Sequence, residues 1–267
     1  MDEIARYNKE RWEDLARANV VFSRPALHLD EGSARRMLDP HGLMGGVEGR
    51  NVLCLASGGG QQSAAFGLLG ANVTVYDLSE TQLQRDAEAA AHHGLSINAV
   101  QGDMRDLSRF GESTFDVVWQ AHSIKFVPDV RGVFSEVARV LRRGGLYQVD
   151  CPNPFIMGID ERDWSGGGYP LSRPYVDGAE VECANPYWEV WDEGGNCRMV
   201  EGPREFRHTL GTLINGLVEN RFMILGLWEE IGADPDAAPG TWDHFKLIAP
   251  PGFSLWGRYR PDVLSAA

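Results

Sequence analysis

Three consecutive glycines, Gly58-Gly59-Gly60, follow the apolar run from Asn51 to Ala56 and precede a helical pattern extending through Leu69. Glycine lets a backbone turn sharply and approach a ligand closely, and the N-terminus of the following helix favours polar or anionic groups. Nineteen residues after Gly58, Asp77 closes a second apolar run from Val73, at a place where a carboxylate accepts hydrogen bonds from ribose hydroxyls. Together, glycine turn and strand-end carboxylate indicate a nucleoside ligand. Ser63 stands where a dinucleotide fingerprint carries a third glycine or an alanine. No metal site is readable. Cys54, Cys151, Cys183 and Cys197 form no CxxC pair, and His92 and His93, being adjacent, point in different directions on a helix. Cys54 and Cys151 lie in apolar runs as small core hydrophobes, while Cys183 and Cys197 would pair only in an oxidising compartment.

These residues need a scaffold, and strands alternate with helices from residue 50 onward. Further strands are expected over Ile97–Gln101, Phe115–Gln120 and Leu146–Cys151. Ser79 opens a helix, with Gln82 completing an S-x-x-Q capping box. Val130, Val133, Phe134, Val137, Ala138 and Leu141 repeat at helical spacing. Arg139, Arg142 and Arg143 are expected at that helix's C-terminal end, with Gly144-Gly145 terminating it. Repeated β-α units of this length imply a parallel sheet with helices on both faces. Upstream, Ile4, Tyr7, Trp12 and Leu15 mark an amphipathic helix over residues 3–17, and residues 19–49 receive no regular structure. Residues 152–204 are rich in proline, glycine and aromatics, and six of the eight tryptophans lie beyond residue 151. Thr209–Asn220 then reads as a helix, and Phe222–Trp228 and Phe253–Tyr259 as strands separated by a long connection.

Composition narrows the partners. At roughly 150 residues per domain, 267 residues fall between one domain and two. A net charge of −13 repels phosphate backbones and anionic lipid, which argues against nucleic acid and membrane surfaces. The chain is 43% hydrophobic with a mean hydropathy of −0.28, ordinary for a globular protein. No apolar run approaches the ~20 residues that span a bilayer. The charged start MDEIARYNKERW lacks a signal-peptide core, so a soluble cytoplasmic protein is expected.

Five ordered segments carry a resemblance: VLCLASGGG at 52–60, VTVYDLS at 73–79, GDMRDL at 102–107, FDVVW at 115–119 and FVPDVRGVFSEVARVLRRGGLY at 126–147. In order and spacing the chain resembles the class I S-adenosylmethionine (SAM) dependent methyltransferases of small-molecule type. It departs from them at Cys54, where an acidic residue is usual, and at Ala56, where glycine is usual. The resemblance implies an α/β fold with a Rossmann-like seven-stranded sheet, mostly parallel, helices on both faces and an inserted cap. It implies one domain over 1–267, with an N-terminal helical lid at 1–49 and a SAM-binding core at 50–151. A substrate cap at 152–204 and a C-terminal helix and strand pair at 205–267 complete it. Ala56, Ser57, Gly58 and Gly60 would pass beneath the methionine moiety and ribose of SAM. Asp77 would bind the ribose diol, Leu78 and Met104 would pack on the adenine, and Asp103 would accept from its amino group. Gln120 and Ala121 would border the methionine end, with Tyr7 and Trp12 closing the site from the N-terminal helix.

Methyl transfer is an in-line displacement that also needs a deprotonated nucleophile. His122 lies close to where the family places the methyl group, with Lys125 following. It is the expected base or acceptor-orienting group, with His208 as a second candidate. This favours oxygen slightly over nitrogen or sulfur in a small-molecule acceptor. The aromatic stretch from Phe155 to Trp191 is read as a cap shaping that acceptor's pocket. Two other readings stay open at this point: a nicotinamide-dependent oxidoreductase and a non-catalytic SAM-binding regulator.

Overall fold

Apolar strands that are hydrophobic on both faces must be covered on both, and the chain does this with alternating helices. The computed structural model describes residues 1–181, 186–192 and 194–263, so the expectation for Cys183 lies outside the described residues. Two helices come first, α1 (Glu3–Arg17) and α2 (Glu31–Leu38). The core follows as β1 (Asn51–Leu55), α3 (Gln62–Leu68), β2 (Asn72–Asp77), α4 (Glu80–His93), β3 (Ile97–Gln101), β4 (Phe115–Gln120), α5 (Val130–Val140) and β5 (Leu141–Pro152). After β6 (Tyr187–Trp191) and β7 (Cys197–Glu201) come α6 (Leu210–Glu219), β8 (Phe222–Glu229), α7 (Trp242–Ile248) and β9 (Gly252–Tyr259).

Seven strands form one sheet in the order β3-β2-β1-β4-β5-β9-β8. Its pairings are parallel except those of β9, which runs antiparallel to both β5 and β8. This is the Rossmann-like, mostly parallel sheet expected from the sequence. Leu53, Leu55 and Val118 face one apolar cluster with α5 and α6, and Val52, Cys54 and Val117 face the other with α2 and α3. Cys54 and Cys151 are both buried, as their apolar surroundings indicate.

Several local expectations change. Residues 19–49 contain α2, whose Asp30 and Ser33 cap its N-terminus reciprocally and whose Ala34 and Leu38 are buried. The C-terminal connection contains α7, capped by Thr241. Helix α5 stops at Val140 because Leu141 already pairs with Phe115 as strand, so Arg142 and Arg143 lie on β5 and not at a helix end. The capping box at Ser79 is only half made. Ser79 accepts from the Gln82 N–H, but its own N–H donates to Asp77.

Helix α1 docks through polar groups as well as apolar ones. The buried Asn8 bonds to the Phe126 and Arg204 carbonyls. Glu13 accepts the Glu80 N–H at 2.6 Å and the Thr81 hydroxyl, which puts a carboxylate at the positive end of α4. Strands β6 and β7 form a hairpin against α1, with Trp188 edge-on to Trp12 at 5.7 Å.

Candidate active site

Strand order reverses between β1 and β4, and open α/β sheets bind ligands beyond the carboxyl ends of their strands at such a point. A cavity of about 1100 Å³ opens there. Small-molecule pockets usually measure about 300–1,000 Å³, so this one lies at the upper end of that range. One side is built from Ala56, Ser57, Gly58, Asp77 and Leu78. Trp119, Ala121 and His122 form the middle, and Gln148, Asp150, Trp228, Ser254 and Trp256 the far side.

The glycine turn is held by carboxylates. Asp77 accepts the Gly58 N–H at 3.0 Å, and Asp86 on α4 accepts those of Gly59 and Gly60, each at 3.0 Å. Ser63, at the third fingerprint position, donates its hydroxyl to Asp86. Every amide of the three glycines is therefore committed to a carboxylate. A pyrophosphate would find no free donor in this turn and two acidic groups behind it, whereas ribose hydroxyls can donate to the remaining Asp77 lone pairs. This chemistry fits SAM, whose ribose carries no phosphate, and disfavours a dinucleotide. Burial pushes the Asp77 carboxyl up, and the Ser79 and Gly58 N–H groups pull it back. Burial pushes that of Asp86 up to about 7. Side chains are excluded from the turn: a Cβ on Gly58 would lie 2.6 Å from that of Gln82, and one on Gly60, at φ +80°, 2.6 Å from the Arg85 carbonyl.

Leu78, Asp103 and Met104 line the cavity next to this turn. At Gly102 a Cβ would lie 2.0 Å from the Tyr76 ring, so only glycine passes there. Arg105 clamps Asp103 at 2.5 Å and Asp2 at 2.6 Å, tying the start of α1 to the site. Its hydrogen bond draws the Asp2 carboxyl down to about 2.

Three residues expected at the site stand apart from the lining. Gly60 is turned toward Asp86. Gln120 lies behind Met104, donating to its sulfur at 3.2 Å while accepting from the Tyr147 hydroxyl. Tyr7 faces outward and donates to Glu201 at 2.9 Å, while Trp12 does line the cavity.

His122 follows β4 in left-handed backbone at φ 48°, and Ala56 follows the adjacent β1 at φ 45°. Such conformations are uncommon for residues with a Cβ and cluster at functional sites. The His122 side chain is 73% exposed, and its Nε2 lies 3.8 Å from Asp150 Oδ2. Asp150 accepts from Ser254 Oγ at 2.5 Å and Gln148 Nε2 at 2.6 Å. Burial pushes its carboxyl up, against the pull of His122, Ser254 and Gln148. Lys125 lines the cavity but pairs with Glu205 at 3.0 Å. His208 is buried against the Val127 carbonyl, outside the lining, and burial pushes its pKa down.

The far wall corrects the reading of residues 155–191. Of that aromatic stretch Trp188 lines the cavity, whereas Phe155 stacks on Tyr175 and Trp164 packs edge-on against His244 of α7. The other indoles lining the cavity beyond Trp12 come from β4, β8, β9 and α7. Sequence reasoning also missed Asp86, Gln148, Asp150 and Ser254. The polar Gln148 and Asp150 alternate with apolar Val149 and Cys151, a period-two signal that marks one strand face. Gln82, absorbed into the capping box, lines the cavity with a buried Oε1 that lacks a partner.

Among the described residues no group of three or more His, Cys, Asp or Glu is placed to hold a metal, and no helix is long and apolar enough to cross a membrane. A methyltransferase-domain family matches residues 53–149. An uncharacterized methyltransferase of Bacillus subtilis, YbaJ, is 36% identical over 190 residues, covering 70% of this chain and 71% of that one. A sterol 24-C-methyltransferase of Aspergillus fumigatus is 33% identical over 109 residues, 40% of this chain but 29% of that protein. In fold, a SAM-dependent methyltransferase from Mesorhizobium loti superposes with a TM-score of 0.62 at 23% identity, over 87% of this chain and 100% of that one. Sheet order, glycine turn and matched relatives lead to one conclusion: the chain belongs to the class I SAM-dependent methyltransferases and is an enzyme of that kind.

Proposed function

We propose that the protein methylates a small molecule, with SAM on the Asp77 side of the cavity and the acceptor beside His122. The observation that carries this reading is the continuity of one cavity from the glycine turn to His122 and the C-terminal strands. SAM supplies an electrophilic methyl group carried on a sulfonium. Asp77 accepts from the ribose diol, Leu78 and Met104 flank the adenine, and Asp103 accepts from its amino group. Ala56, Ser57, Gly58 and Ala121 pass beneath the remainder, and Trp12 closes that side.

His122 serves the acceptor. With Nε2–H directed toward Asp150, Nδ1 is left as the atom that takes a proton from the nucleophile. An alcohol or phenol needs that help more than an amine does, which places oxygen ahead of nitrogen and sulfur as the methylated atom. The sterol 24-C-methyltransferase relatives, named for a small-molecule substrate, support a small-molecule acceptor but not the choice of oxygen. The charge of −13 disfavours a nucleic-acid acceptor.

Calorimetry with SAM, S-adenosylhomocysteine and NAD tests the cofactor assignment, with binding of the first two and not of NAD expected. Asp77→Ala is expected to weaken SAM binding by about 1–3 kcal/mol, as for a lost hydrogen bond to a charged group. Binding of NAD alone, or unchanged SAM affinity in the variant, refutes the assignment.

A further inference from the structure

The far side of the cavity holds more carboxylate than the orientation of His122 requires. We propose that it recognises an organic cation: the acceptor carries an ammonium group that sits between Asp150 and the indoles of Trp119, Trp228 and Trp256. This inference rests on the methyltransferase reading and concerns the group that is held, not the atom that is methylated.

Strand register assembles the site. Asp150 lies opposite Ser254 and Ser254 opposite Trp228, so these three share one face of the sheet in a row across β5, β9 and β8. In the next row, Trp119 lies opposite Gln148 and Gln148 opposite Trp256. A Cβ on Gly226 would lie 2.2 Å from the Trp228 ring, so this glycine makes room for the indole to fold across the sheet. Trp119 and Trp256 meet edge to face at 5.6 Å.

Charge is one-sided here. The Asp150 side chain is 13% exposed, and among the described residues the basic group within 4.0 Å of it is His122. Glu229 and Glu230 stand on the rim of the same cavity. Its Arg and Lys are already neutralised, Arg105 by Asp103 and Asp2, Lys125 by Glu205. One further group in the lower row awaits a donor: Gln148 Oε1 is buried without a hydrogen bond. A carboxylate taken out of water without a cation is costly, and aromatic faces attract ammonium groups. An ammonium satisfies Asp150, uses the indoles and leaves N–H donors for Gln148. A neutral acceptor leaves Asp150 without a counter-charge, and an anionic one is repelled by it.

The test uses 2-phenylethylamine and 2-phenylethanol, which differ in the ammonium group alone, titrated by calorimetry into the protein saturated with S-adenosylhomocysteine at pH 7. The amine is expected to bind at least about tenfold tighter than the alcohol. Asp150→Asn is expected to remove that preference with affinity for S-adenosylhomocysteine unchanged, which also reports that the variant is folded. Trp228→Leu is expected to weaken the amine at least about threefold, again leaving S-adenosylhomocysteine unaffected. Equal binding of amine and alcohol, no binding of the amine at millimolar concentration, or a preference that survives Asp150→Asn overturns the inference alone. Failure of S-adenosylhomocysteine to bind the unaltered protein overturns the cofactor reading, and this inference with it.

Discussion

Ala56 and His122 hold left-handed backbone at the ends of adjacent strands, and each carries a Cβ that this conformation disfavours. At Ala56 the penalty is about 1–2 kcal/mol, against about 0.5–1 kcal/mol of unfolded-state entropy lost to glycine. Ala56→Gly is therefore expected to raise stability by roughly 0.5–1 kcal/mol, read as a higher urea midpoint at constant slope. At His122 the same conformation directs the imidazole into the cavity. His122→Ala is expected to lower kcat by about 10²–10⁴-fold, the usual range for a general base, while SAM affinity measured by calorimetry stays constant. Unchanged turnover would remove the catalytic role. Ala56 was visible as a departure from the family pattern, but its φ was not. Asp150 was written in the chain as an ordinary strand polar residue. Only the antiparallel β9, which brings Ser254 beside it, makes it part of a site.

Elements were legible where one face or one run was uniformly apolar. Helix α1 and strands β1 to β4 follow their periodicity closely, because burial on known faces specifies both type and extent. The short α2 and α7 and the β6–β7 hairpin were not read, since each buries few residues and takes its stability from neighbours. Helix α1 shows the same limit in detail. Its docking depends on Asn8 and Glu13, polar residues that an apolar stripe cannot flag. Donation from the Thr81 hydroxyl and the Glu80 N–H outweighs burial and holds the Glu13 carboxyl below its usual value. A carboxyl lowered in this way adds stability above its unfolded pKa and loses it as pH falls through the folded one. Glu13→Gln is expected to cost about 1–2 kcal/mol at neutral pH and almost nothing below pH ~3, checked by urea unfolding across that range. An equal cost at both ends would show that the anchor is not ionic.

Over the whole molecule, acidity works against the folded state as pH rises. Asp86 is buried, and its carboxyl is pushed up to about 7. Between about pH 4 and pH 7 the folded chain keeps a proton there that the unfolded chain has released, so unfolding becomes easier as pH rises. The loss is on the order of 4 kcal/mol at most, and Asp77 and Asp150, also raised by burial, act in the same sense. Stability is expected to peak near pH ~4, below which Glu13 and Asp2 lose their ionic contributions. Asp86→Asn is expected to flatten the decline above that maximum in a series of urea midpoints. A variant that declines as steeply as the parent would assign the effect to the net charge instead.

The order of the β-α units, the glycine turn and the place of Asp77 at the end of β2 were determined by the sequence alone. Each depends on local pattern: backbone freedom at consecutive glycines and burial of short apolar runs. The far side of the cavity was decided only in three dimensions. Its residues come from β5, β8 and β9, spread over more than a hundred positions of the chain and joined by hydrogen-bond register. The commitment of Gly59 and Gly60 to Asp86 is of the same kind. Chain pattern shows which residues are able to do chemistry, and sheet register and helix packing choose which of them meet.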